Sequence, residues 1–147
     1  MKVYKVVRRE DDQMLSVWAR HSAQVAYQPG QRTYGLQRTP VYAFGGTLAG
    51  FSYAHDFASG IIRYNALHNL EIWECEAKLD EKAEPLDWCL AYPTSIASVV
   101  SFHKGEIEPK YWTCHTVPNG TILCQWIRPI RKVWPKVSGR DRVPVRS

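Results

Sequence analysis

Val3-Tyr4-Lys5-Val6-Val7-Arg8 opens the chain with β-branched and aromatic residues, which predicts a strand over 3–8. Glu10-Asp11-Asp12 interrupts it with a polar turn, and Met14-Leu15-Ser16-Val17-Trp18 predicts a second strand, so the two read as a hairpin. Val25-Ala26-Tyr27 is a short strand stopped by the turn signal Gln28-Pro29-Gly30-Gln31. The polar and aromatic stretch from Arg32 to Arg38 reads as loop. Pro40-Val41-Tyr42-Ala43-Phe44 reads as a strand with proline at its first position, where it is tolerated.

The clearest helix follows a glycine-rich segment, Gly45 to Gly50. Ala54, Phe57, Ala58, Ile61 and Ile62 recur at helical spacing and give one apolar stripe over about 53–65. Ser52 is suited to cap this helix, and Asp56 suits the positive end of its dipole. Leu70 to Ala77 alternates strictly: Trp73, Cys75 and Ala77 share a face that looks toward the core, with Glu71 at its entrance, and Ile72, Glu74 and Glu76 share the other. Residues 86–92 are apolar without a clear period. Ile96, Val99, Val100 and His103 have helical spacing, with Thr94 or Ser95 as cap, so a second helix over about 95–104 is one reading; Ser98 to Phe102 reads equally as a strand. Tyr111 to Cys114 and Ile122 to Arg128 are strands flanking Asn119-Gly120, a favoured hairpin turn. The expected fold is α+β, an antiparallel sheet with one firm helix packed on it. Residues 1–137 form a single domain, and 138–147 a basic tail.

The chain has 147 residues, which suits one domain with its own core. Charge changes the picture more than length does. Residues 128–147 carry seven cations (Arg128, Arg131, Lys132, Lys136, Arg140, Arg142, Arg146) and one anion, whereas the first 127 residues carry 12 cations and 13 anions. A cationic end on a near-neutral body points to a phosphate-bearing ligand or an acidic partner surface, and away from a broad nucleic-acid surface. Cys75, Cys89, Cys114 and Cys124 form no CxxC pair and the histidines are scattered, so reduced buried thiols are expected and no metal or cofactor. No apolar run is long enough to span a membrane, and no export signal is evident; the expected location is the cytosol.

Three sets of residues carry candidate chemistry. Guanidinium and ammonium groups at Arg128, Arg131 and Lys132 suit phosphate oxygens. Tyr34 and Tyr53, with polar neighbours, suit stacking on a base. Ser52 and the glycine segment before it suit a phosphate at a helix start, although neither a Walker A loop nor a GxGxxG fingerprint is present. His55, Asp56, His68 and Glu71 are the acid–base groups near the helix ends, and no nucleophile motif accompanies them.

The order of Arg8 on the opening strand, Phe51-Ser52 leading a helix and Glu71 on a following strand is similar to the Arg–Ser–Glu order of ADP-ribosyltransferases. That resemblance implies an NAD site organised by Arg8 and Ser52 with Glu71 catalytic. The serine–threonine–serine strand and the Glu/Gln-x-Glu signature of that family are absent. The opening Tyr-Lys-Val-Val, the Tyr27-Gln28-Pro29-Gly30 turn, the Phe-Ser-x-Ala-x-x-Phe-Ala helix start, Glu71-Ile72-Trp73-Glu74-Cys75-Glu76 and Pro118-Asn119-Gly120-Thr121-Ile122-Leu123 together resemble small phage-encoded proteins, among them the Thoeris anti-defence sponges. This second resemblance implies a cytosolic homo-oligomer that sequesters a nucleotide signal without cleaving it. The expectation taken forward is a non-enzymatic nucleotide binder using Arg128, Arg131, Lys132, Tyr53, Tyr34 and Ser52. The alternatives are an NAD-using ADP-ribosyltransferase-like enzyme and a structural or assembly protein with a basic arm.

Overall fold

The computed structural model describes residues 1–45, 48–65, 69–84, 86–107 and 114–135. Among them the chain forms nine strands and two α-helices: β1 (Lys2–Glu10), β2 (Gln13–Leu15), β3 (Ala26–Tyr27), β4 (Thr33–Tyr34), β5 (Val41–Gly45), α1 (Leu48–Asn65), β6 (Leu70–Leu79), β7 (Trp88–Leu90), α2 (Ile96–His103), β8 (Cys114–Thr116) and β9 (Thr121–Trp134). The expected α+β architecture is present, with every strand pair antiparallel.

Four strands close a circuit. β1 pairs with β5, β5 with β9, β9 with β6, and β6 returns to β1. Register and alternation place Val3 and Val7 of β1, Val41 and Ala43 of β5, Cys75 and Ala77 of β6, and Cys124 and Ile127 of β9 in one buried cluster inside this ring. Three breaks in register along β6–β9 let residues of odd and even number on β9 share that interior. The outer face is also covered. Tyr4, Val6, Phe44, Leu70 and Ile72 pack beneath Ala54, Ala58 and Ile61 of α1. Core therefore lies on both faces of β1 and β6. Trp73, Cys75 and Ala77 face inward as read from their alternation, while Ile72, on the opposite face, is fully buried under the helix.

Several expectations are corrected. α1 begins at Leu48, so Ser52 lies one turn inside it and caps nothing. The early start requires Gly50, because a Cβ there would overlap the Gly45 carbonyl at the end of β5. The second segment is a helix, capped by Ser95, whose Oγ accepts from Ser98 N at 3.1 Å. The expected loop 32–38 contains β4, which joins the edge of β9 through Thr33–Ile127 and Tyr34–Trp126. The Asn119-Gly120 turn does not close the expected hairpin: Cys114–Thr116 pairs with β7, and β9 takes β4, β5 and β6 as partners. Tyr111 to Thr113, His68 and the tail 138–147 lie outside the described residues.

Candidate functional site

Lys5 stands between Val3 and Val7 on the inward face of β1, among side chains that are mostly apolar or thiols. Its position coincides with a break in the wall. Among the described residues β1 and β5 pair only through Val3–Gly45 and Tyr4–Phe44, then diverge as β1 turns to β2. Where that ladder stops, the Lys5 ammonium donates to the Tyr42 carbonyl at 2.6 Å and lies 5.5 Å from the Tyr27 ring centroid. Burial pushes its pKa down to about 8, against smaller upward pulls from Cys75 and Cys124. Lys5 is thus largely an ammonium at pH 7 with a reachable neutral form, rather than a permanently solvated cation.

The same break opens a cleft of about 190 Å³. Its lining is chiefly apolar, with Val17, Trp18, Val25, Val41, Phe57 and Phe102 among the walls and Lys5 on its floor. A second polar group faces it from α2. Tyr42 Oη and His103 Nε2 are 3.2 Å apart, joining β5 to the last turn of the helix. Burial lowers the His103 pKa and raises that of Tyr42, so at neutral pH this pair is an uncharged imidazole and an intact phenol. The cleft therefore offers one cation, one neutral hydrogen-bonding pair and an apolar body, an arrangement suited to a small ligand with one anionic or carbonyl end. Apolar cavities of about 150 Å³ already admit a benzene-sized molecule.

The residues singled out from the sequence are dispersed over the fold. Arg128 is ion-paired with Glu76 across β9–β6. Arg131 reaches Glu74 at 3.3 Å and is 68% exposed; Lys2 approaches the same carboxylate at 3.5 Å. Lys132 is exposed on β9 opposite Trp73. Ser52 and Tyr53 lie on the exposed side of α1, and the Tyr53 ring sits against Gly120, whose φ of +83° and lack of a side chain let the turn pass beneath it. Tyr34 alone among the chosen aromatics meets the carboxyl-terminal strand, beside Trp126 and near Arg128. None of these six lines the cleft.

Nor do the Arg–Ser–Glu positions converge. Arg8 pairs with Leu70 and faces outward, while Glu71 belongs to the inward face of β6. Arg8 is 5% exposed; its Nη1 bonds Glu10, and its Nε and Nη2 have no partner among the described residues. Glu71 accepts from Arg9 Nη2 at 2.9 Å and Nε at 3.3 Å and from Trp73 Nε1 at 2.9 Å. Burial alone would raise its pKa, but these donors together outweigh that and hold it below the usual carboxylate value. His55 packs edge-on against Trp134 at 5.4 Å between centroids, and Asp56 is exposed.

Sequence reasoning missed Lys5, Tyr42 and His103. A signal for Lys5 was present: a cation in register with two valines on a strand buried on both faces. Tyr42 and His103 are 61 residues apart, and only the packing of α2 joins them. All four cysteines are reduced and buried; burial pushes Cys75 and Cys89 up to about 12 and Cys124 to about 11, so none of these three is an activated thiol. Among the described residues no cluster of histidine, cysteine, aspartate or glutamate could hold a metal, and no helix is long and apolar enough to cross a membrane. Comparison of the chain with protein-family models, curated proteins and solved structures gives no match.

Proposed function

We propose that this protein binds and sequesters a small molecule whose apolar body fills the cleft between β1 and β5 and whose anionic end meets Lys5. The observation that carries this reading is a half-buried ammonium on the floor of an apolar recess, which among the described residues donates to one carbonyl, at 2.6 Å. An ammonium can donate three hydrogen bonds, so two donors remain for a ligand. Sequestration without turnover is the general behaviour of the anti-defence sponges that the sequence resembles. The nucleotide expected there is a poorer fit to this recess, which has one cation and the dimensions of a single ring. Tyr42 and His103 supply a neutral contact at the rim.

Titrating the protein with hexanoate and with 1-hexanol, followed by amide chemical shifts, tests the proposal. Hexanoate should bind about tenfold more tightly than the alcohol at pH 7, a difference of about 1.4 kcal/mol, and perturb Lys5, Tyr42 and His103. That preference should vanish above pH 9, once Lys5 has lost its proton. Lys5→Met should bind both equally. Equal affinity of the wild type for acid and alcohol, or shifts confined to other surfaces, would overturn it.

A further inference from the structure

Tyr34, Trp126 and Lys78 form one row across three strands, because Tyr34 of β4 pairs with Trp126 of β9 and Trp126 with Lys78 of β6. Their neighbours Ile127 and Ala77 are buried in the ring, so this row points outward. Each ring carries a guanidinium: Arg38 lies 4.0 Å from the Tyr34 centroid and Arg32 lies 4.2 Å from that of Trp126. Neither arginine is ion-paired with a carboxylate among the described residues. Arg128, one row further along β9, shares its charge with Glu76. The patch thus holds Arg32, Arg38, Lys78 and Arg128 around two aromatic rings, with Glu76 as the adjoining carboxylate.

We infer that this outer face of β4, β9 and β6 is a docking surface for single-stranded nucleic acid. A guanidinium stacked on a ring is held flat. Its outer plane is a platform for a base, and its N–H edge is directed to phosphate. Alternating rings and cations along a sheet face match a strand whose bases and phosphates alternate in the same way. A duplex keeps its bases stacked inside and offers only phosphates, so the rings discriminate between the two forms. Glu76 is the one carboxylate that feels this patch among the described residues, paired with Arg128 and attracted more weakly by Arg32, so the four cations outnumber it. This surface is separate from the cleft: none of its residues lines that recess.

Fluorescence anisotropy of the full chain with a labelled twelve-residue oligothymidylate, at 50–200 mM salt, is the test. Wild type should bind the strand more tightly than a twelve-base-pair duplex. With four cations engaged, log K should fall with log salt at a slope of about −3. Arg32→Ala/Arg38→Ala should weaken binding at least about tenfold and reduce the slope by about 1.4, with an unchanged melting curve showing that the fold is intact. Equal binding by the double variant would place the contact elsewhere in the chain and overturn the inference. Absence of binding at 50 mM salt, equal affinity for the duplex, or competition by thymidine monophosphate as effective per phosphate as the strand would each do the same.

Discussion

Lys5→Met removes the half-buried ammonium while keeping a side chain of similar length and flexibility. In the wild type the Lys5 pKa falls from 10.5 in the unfolded chain to about 8 in the fold. Between these values the unfolded chain holds the proton and the folded chain has released it, so stability rises with pH through this window. The full shift corresponds to roughly 3 kcal/mol, of which about 1 kcal/mol falls between pH 7 and pH 9. At pH 7 and below the folded protein carries nearly the whole penalty; the variant carries none at any pH. Thiols work in the opposite sense, since Cys75 and Cys124 ionise later in the fold than in the unfolded chain and so erode stability above pH 9. They are common to both proteins and largely cancel in the comparison. Urea melts of wild type and variant at pH 7, 8 and 9 give the difference directly. The wild type should gain about 1 kcal/mol on the variant across this range, equivalent to about 2–4 °C in melting temperature for a domain of this size. A gap that stays flat from pH 7 to pH 9 would show that Lys5 reaches water and would refute the buried-ammonium argument.

Glu71→Gln should cost about 1–2 kcal/mol at pH 7 through loss of the two-pronged contact with Arg9. Because the folded pKa of Glu71 is depressed, the stability this contact gives the wild type is present above its unfolded pKa and disappears as pH falls through the folded one; acid melts of the two proteins should therefore converge. Gly60→Ala, at a helical position with open space around the new methyl, should stabilise by up to about 1 kcal/mol in thermal melts. Gly50→Ala, whose methyl would overlap the Gly45 carbonyl, should instead lower the melting temperature sharply; parity between the two variants would refute the close approach of α1 to β5. Native protein should react far more slowly with a thiol reagent than urea-unfolded protein, as the colorimetric release on mixing would show, since all four cysteines are buried.

Local patterning announced β1, β2, β5, β6 and α1, because each carries its own apolar face and its own stop signal. The Asn119-Gly120 turn misled for a physical reason. A hairpin signal reports only on adjacent chain, whereas Thr121–Trp134 finds its partners 45 to 94 residues away, in β4, β5 and β6. β4 was hidden because two residues are too few to show alternation; it exists by pairing with a longer strand. Helix or strand over 96–103 was settled by the Ser95 cap and by Phe102, which the helix buries. The cationic residues of β9 were visible as composition, but the glutamates of β6 that pair with Arg128 and Arg131 could be assigned only once β6 and β9 were known to be neighbours. Tyr34 was chosen for its polar surroundings; its significance lies in Trp126 beside it, a contact no spacing rule encodes.

β9 is the shared partner of three other strands, and it is the last strand in the order of synthesis among those described. Until it leaves the ribosome, the inner row of Val41, Ala43, Cys75 and Ala77 has no opposing wall, and β5 and β6 each present an open flank. The nascent chain must therefore hold its earlier strands in a sticky, half-built condition and can close its interior only in one late, concerted event. Shortening the chain before Trp134 should therefore yield aggregates in place of a smaller stable fold.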